Sequence, residues 1–299
     1  MTDTKACMAA YAARVEQYMT EQLDAIKERR GMLATDEVFA AMQHSLSAGG
    51  KRIRPTLVYA FCEACGGKPE NADAAACAME MSHTASLIFD DLPSFDDDDL
   101  RRNQPSCHKA FGEATAILAG YGLICAPFEI IGGDEHLTGD QKAALMRVLA
   151  AREGVNGMVG GQLMDKHFET ADSVTLVQLE TMCLGKTGAL MKAACEMGCI
   201  CGGGTEKQIR AAGLYGKNIG LAFQIIDDIL DVTSTEEQLG KPIGSDIEEH
   251  KFTFVNLLGI EHAKQMAAVI SGIAHSQLEG FADAEFLHAL ADVLLVRLQ

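Results

Sequence analysis

The chain of 299 residues has no tryptophan, and aromatic residues make up only 6% of it. Strands draw on aromatic and β-branched residues alternating with polar ones, and no stretch here alternates long enough to build a sheet. Only six prolines interrupt the chain, so long helices can run unbroken. Positive charge is in deficit: 25 Lys and Arg stand against 42 Asp and Glu, a formal net charge of −17. That balance argues against nucleic acid as a partner, because a phosphate backbone needs a basic face. It leaves room for a small anionic substrate, which a few local cations can hold. There is no run of eighteen apolar residues, so no membrane span is expected. The opening residues, MTDTKACMAAYAARVEQ, lack a basic stretch followed by an apolar core. They do not read as a signal peptide, and a cytoplasmic protein is expected. The ten cysteines include Cys62 and Cys65 as a CxxC and Cys199 and Cys201 as a CxC. Neither spacing fits the usual zinc patterns, so reduced core thiols are expected.

Apolar residues make up 48% of the chain, and it carries 29 glycines and 14 methionines. This is a composition for closely packed helices, and we expect one all-α domain over residues 1–299. A helix is expected from residue 6 to about 30, on the spacing of Val15, Tyr18, Met19, Gln22 and Ile26. Asp36 would cap a second, ended by Gly49-Gly50, and Pro55 would stand first in a third. A long helix should run from about Ala72 to Asp91, with Pro93 turning the chain. Residues 110–131 are nearly uncharged and are expected to be buried all round. Thr138 would cap the next helix, and Asp172-Ser173 would open another with Lys186 and Thr187 in its middle. Gly202 to Gly204 reads as a turn, and Glu206 to Val232 as a helix. A glycine- and proline-broken loop then leads to two or three last helices.

Two acidic clusters stand out. In DDLPSFDDDDLRR, Asp90 to Arg102, six acidic residues crowd into ten positions and two arginines follow. Carboxylates this close repel unless something positive sits among them. Mg²⁺ takes such oxygens, with one or two protein carboxylates plus substrate phosphates. The second cluster, Asp227, Asp228 and Asp231 in FQIIDDILD, lies in an apolar stretch that reads as a buried helix. Residues i and i+4 share a face, so Asp227 and Asp231 point the same way with Asp228 beside them. Lys186, inside an apolar run, would be costly unless paired, and a diphosphate is a plausible partner. Together the clusters suggest a diphosphate held between metals.

With these clusters stand GGKRIRP (Gly49 to Pro55), GMVGGQLMD (Gly157 to Asp165), GKTGAL (Gly185 to Leu190), FQIIDD (Phe223 to Asp228) and GKPIGSD (Gly240 to Asp246). In this order and at about this spacing, they resemble the trans-isoprenyl diphosphate synthases, the farnesyl/geranylgeranyl diphosphate synthase family of bacterial short-chain type. The resemblance covers the chain from about residue 30 to its end. It implies an all-α fold of about ten or more helices around a central cavity, of isoprenoid synthase type, in a homodimer. It implies that about three Mg²⁺, for which Mn²⁺ may substitute, are held by Asp90, Asp91, Asp96, Asp227 and Asp231, with Asp228 adjacent. Lys51, Arg54, His83 and Arg102 would hold isopentenyl diphosphate, with Gly50 letting the backbone come close. Arg101, Lys186, Thr187, Gln224, Lys241 and Lys251 would serve the allylic diphosphate (dimethylallyl, geranyl or farnesyl). Gln162 and Asp165 are secondary candidates.

The implied reaction is Mg-dependent ionisation, condensation and elimination. A class I terpene cyclase or a non-catalytic subunit of the same fold fits less well. A cyclase binds no isopentenyl diphosphate, yet GGKRIRP and LRR are present; regulatory subunits tend to lose the aspartates retained here. Several residues depart from the common pattern: Phe89 before the first Asp pair, Tyr121 in AGYGL, and Phe252 in KFTFV. Product length is expected to be set along the helix before Asp90. Farnesyl-making relatives commonly have an aromatic at the Ala85 position; here Ala85 is small, with Ser86 and Ser82 nearby. A geranylgeranyl product (C20) is expected, with farnesyl (C15) as the alternative because Phe89 could crowd the same cavity.

Overall fold

The computed structural model describes residues 4–29, 31–233 and 251–295. Among them the chain is helical almost throughout. The helices are α1 (Thr4–Glu28), α2 (Asp36–Ser47), α3 (Ile53–Ala64), α4 (Pro69–Asp90), α5 (Cys107–Phe111), α6 (Glu113–Gly133) and α7 (Gly139–Glu153). They continue with α8 (Met158–Phe168), α9 (Leu176–Cys183), α10 (Ala189–Cys201), α11 (Glu206–Thr233), α12 (Phe254–Leu258), α13 (Ile260–Ser276) and α14 (Glu285–Leu295). The strands β1 (Leu100–Arg101) and β2 (Gln104–Pro105) form a small antiparallel hairpin. The sequence offered no alternation for it because it is only two residues deep.

A reciprocal threonine–glutamine cap starts three of the helices. Thr138, Thr175 and Thr205 each accept a hydrogen bond from a backbone N–H three residues on, and the Gln side chain there bonds back to the threonine N–H. This reciprocal box satisfies two of the orphan donors of a first turn. Thr175 therefore opens α9, not Asp172-Ser173. Asp36 stands inside the first turn of α2 with Thr35 as its flanking residue, where a carboxylate favours the helix dipole. Pro55 is the third residue of α3, not the first; its missing N–H costs nothing there because the first-turn donors have no helical partner. The expected single helix through Lys186 is instead α9 and α10 joined by a π-helical turn, Leu184–Gly188.

Two apolar cores meet along α11. The larger gathers α3, α4, α6 and α10, with Tyr59, Phe61, Met79 and Leu123 fully buried. The smaller packs α9, α12 and α13 against the C-terminal half of α11 through Leu179, Ile225, Ile229 and Phe254. Small residues bring backbones together as the composition suggested: a Cβ on Gly198 of α10 would lie 2.4 Å from the Val58 carbonyl oxygen of α3.

α6 corrects one expectation: it is not buried all round, Leu118 being 55% and Tyr121 60% exposed. By length and composition it is also apolar enough to cross a membrane, with a mean hydropathy of 1.7 over its best window, but 44% of that window is buried within the fold. Charged residues and glycines interrupt its sequence, so no unbroken apolar run marked it. Its inner face packs on α4, α2 and α5.

Candidate active site

The end of α4 carries the first acidic motif. The chain turns at Leu92 and Pro93, and the Asp96 N–H returns to the Asp90 carbonyl at 2.9 Å. Burial pushes the Asp90 carboxyl up to about 6, opposed by Lys186 and reinforced by Asp96. Asp90, Asp96 and Lys186 are thus close enough to feel one another. Asp96 also has Lys166 Nζ at 3.6 Å, a residue the sequence reading passed over; its place one turn beyond Gln162 on α8 was the available signal.

Asp91 departs from expectation. It is buried, and the Arg101 guanidinium donates to its carboxylate through Nε at 2.9 Å and through Nη2. Arg101 also bonds Asp98 at 3.1 Å. The expected metal ligand and the expected diphosphate cation are therefore engaged with each other. The reason is the hairpin, whose turn residues Arg102 and Asn103 both have positive φ, at 54° and 63°. Two left-handed residues in a two-residue loop make the turn type that suits strand twist, and it brings Arg101 back onto α4.

Arg102 reaches the other way and donates through Nη1 to the Gly49 carbonyl. Gly50 has φ 133°, and a Cβ on it would lie 2.7 Å from the Arg102 guanidinium carbon. The positive φ is what asks for glycine here, and the Arg102 guanidinium occupies the space its missing Cβ leaves. Arg52, next along, is buried and left-handed at φ 47°. It bonds Glu16 at 2.9 Å, Glu80 at 2.5 Å and the Leu46 carbonyl at 2.7 Å. This hub and its partner Glu80 were not singled out from sequence, because the partners lie 36 and 28 residues away.

Lys51, Arg54, Glu80, His83, Arg102, Thr187, Gln224 and Asp227 line one open cleft of about 560 Å³. The Nε of Arg54 is buried with no hydrogen-bond partner among the described residues. Burial pulls its guanidinium down to about 10, Glu80 raising it and Arg102 lowering it. Burial, then the charges of Arg54 and Arg102, push His83 well below the ordinary imidazole range, so it is neutral. An enclosed cation beside a neutral imidazole suits a diphosphate, which can take charge-assisted bonds from planar guanidinium groups.

An adjoining cleft of about 130 Å³ is lined by Asp165, Lys186, Thr187, Gln224, Asp228 and Lys251. Lys186 already has a protein partner, Asp165 at 2.5 Å, which answers the expected need for one without a ligand. Its position is fixed by backbone contact: a Cβ on Gly161 of α8 would lie 2.0 Å from the Lys186 nitrogen. Thr187 bonds Gln224 at 3.4 Å, and Gln224 bonds Asp228 at 3.1 Å. Asp228 also accepts the Phe254 N–H at 2.8 Å, so it ties α12 to α11. Asp231 is buried and Asp227 partly so. Gln162 points a buried Nε2 without a hydrogen-bond partner among the described residues. Lys241 lies outside the described residues.

Among the described residues no three His, Cys, Asp or Glu side chains converge to hold an ion by themselves. Hard carboxylate oxygens still fit Mg²⁺, which is commonly bound by one or two carboxylates with phosphate oxygens completing its shell. On the departures, the Phe89 ring sits over Gly120, where a Cβ would be 2.5 Å away, and meets Tyr121 edge-on at 6.0 Å. All ten cysteines are free thiols.

Comparison with known proteins agrees with this geometry. Residues 35–287 match the family model described as polyprenyl synthetase. The chloroplastic geranylgeranyl pyrophosphate synthase of Capsicum annuum is 46% identical, covering 87% of this chain and 71% of that protein. The farnesyl diphosphate synthase of Haemophilus influenzae is 40% identical over 95% of both. Among solved structures, an FPP/GFPP synthase from Zymomonas mobilis superposes with a TM-score of 0.86 at 33% identity, covering 98% of this chain and 99% of that one. Geranylgeranyl pyrophosphate synthetase from Pyrococcus horikoshii gives 0.87 at 30%, covering 97% and 98%. An all-α fold that carries both acidic motifs, matched along nearly its whole length, places this chain in the polyprenyl synthetase family as a short-chain prenyltransferase.

Proposed function

We propose that the protein condenses isopentenyl diphosphate with allylic diphosphates and releases mainly geranylgeranyl diphosphate. The observation that carries this is the shared cleft, where Arg54, His83 and Arg102 face Asp227 across the space that also meets Thr187 and Gln224. Arg54, Lys51, Arg102 and neutral His83 hold isopentenyl diphosphate. Asp90, Asp96 and Asp227 would hold about three Mg²⁺, with Asp231 and Asp228 supporting. When bound, the metal neutralises the departing diphosphate. Lys186, Lys251 and Lys241 add positive charge to that leaving group as charge develops on it. The C–O bond to the allylic carbon breaks, the isopentenyl double bond attacks that carbon, and a proton passes to the departing diphosphate. No protein base is needed.

Small Ala85 supports the C20 product. A C15 product is the second reading, favoured by Phe89, which stands between Ala85 and Asp90 on α4. The protein acts as a homodimer, in keeping with exposed Leu118 and Tyr121 on α6 and with Val159 and Leu163 on α8, 49% and 57% exposed. Exposed apolar side chains of this kind suit a second copy of the chain. The test is incubation with isopentenyl diphosphate and each allylic primer, with Mg²⁺ or EDTA, followed by product sizing. Prenyl products that need the metal are expected; undiminished turnover in EDTA ends the reading.

A further inference from the structure

Ser82, Ala85, Ser86 and Phe89 recur at three- and four-residue steps on one face of α4. At its Asp90 end α6 covers this face, with Phe89 over Gly120. At Ser82 the cover is α7, where Ser82 Oγ donates to Glu153 Oε2 at 3.3 Å. Ser82 is fully buried and Glu153 is only 7% exposed. The other carboxyl oxygen, Oε1, is buried without a hydrogen-bond partner among the described residues. The nearby charges are engaged elsewhere: Arg152 and Lys192 face Glu196, and Glu80 faces Arg52. A buried carboxyl with one hydroxyl for company is costly to keep. The metal and diphosphate chemistry described above makes no use of it.

We propose that the prenyl chain grows along this face of α4 and that Glu153 and Ser82 form its polar floor, making Glu153 a specificity-determining residue for product length. The proposal rests on the prenyl-elongation reading. Ser82 lies eight residues before Asp90, about 12 Å along the helix, and an isoprene unit spans about 4 to 5 Å, so a chain laid along this face reaches Ser82 with about three units. A farnesyl primer fits and is extended to C20. To react again, the C20 chain must slide one unit deeper, which breaks the Ser82–Glu153 bond and lays hydrocarbon against a carboxyl oxygen. Leaving such buried polar groups unbonded disfavours the fifth unit by about tenfold to a hundredfold.

The test uses the full chain with farnesyl and isopentenyl diphosphates, products being sized by mass spectrometry. Glu153→Ala is expected to raise the C25 to C20 ratio at least tenfold. Glu153→Gln, which keeps the shape and a hydrogen bond, should hold the wild-type ratio. Ser82→Ala asks the same question from α4 and should shift products the same way should Glu153→Ala fail to fold. An unchanged ratio in active Glu153→Ala or Ser82→Ala protein overturns the floor alone. Absence of any prenyl product from the wild type overturns both the floor and the elongation reading.

Discussion

Replacing Glu153 by glutamine should change how stability depends on pH. Burial pushes this carboxyl from the ordinary 4.5 up to about 7, with the Ser82 bond pulling slightly the other way. Between those values the folded protein keeps a proton that the unfolded chain has lost. Stability from this group is therefore fully present below pH 4.5 and is lost as pH rises through 7. The gap is worth about 3 kcal/mol at ~1.4 kcal/mol per pH unit. Glutamine cannot ionise, so the variant escapes the loss. The assay is urea unfolding of both proteins at pH 5, 6, 7 and 8 and one protein concentration, since oligomer stability follows concentration. The variant should gain about 2.5 kcal/mol relative to the wild type between pH 5 and pH 8, the first part of the loss lying below pH 5. Other titrating groups, including Asp90, are common to both proteins and drop out of the difference. Parallel curves would show that Glu153 is ionised in the fold and refute the reasoning.

Three further outcomes are expected. Arg54→Ala should raise KM for isopentenyl diphosphate far more than for the allylic substrate, lowering kcat/KM about tenfold to a hundredfold for one charge-assisted phosphate contact; equal effects on both substrates in steady-state kinetics would count against the division of the clefts. Gly161→Ala puts a methyl 2.0 Å from the Lys186 nitrogen, and backbone cannot rotate aside. It should cost about 3 kcal/mol, at the upper end for overpacking, and lower kcat as Lys186 moves; an unchanged urea midpoint would contradict it. Ala85→Tyr should cut the product from C20 to C15, and product sizing that shows no change would put the length limit elsewhere.

The long helices were legible in sequence because their periodicity and caps are local. Thr138 was read correctly as a cap, and the same threonine–glutamine spacing at Thr175 was available but overlooked in favour of Asp172-Ser173. The acidic motifs were legible as clusters of like charge. Their partners were not: Arg101 reaches Asp91 only because the hairpin turn has two left-handed residues, and nothing in LRRNQP announces that. Gly50 was singled out for the approach of a diphosphate, whereas the guanidinium lying against it comes from a residue 52 positions later. Ser82 was noted for its place on α4, while Glu153 escaped notice because a lone glutamate at a helix end ordinarily faces water.

The π-helical turn at Leu184–Gly188 sets a rule for how this chain can vary in length. It holds one residue more than a regular turn would and takes that residue up within a single revolution. Removing one residue would let the segment close into a regular helix with the faces of α9 and α10 still in phase. Met191, Ala194 and Cys195, all buried in α10, would stay turned to the core. What would be lost is local, the seat that the Lys186 backbone has against Gly161. The turn is thus a place where the chain can shorten by one without a change of register, though not without disturbing Lys186.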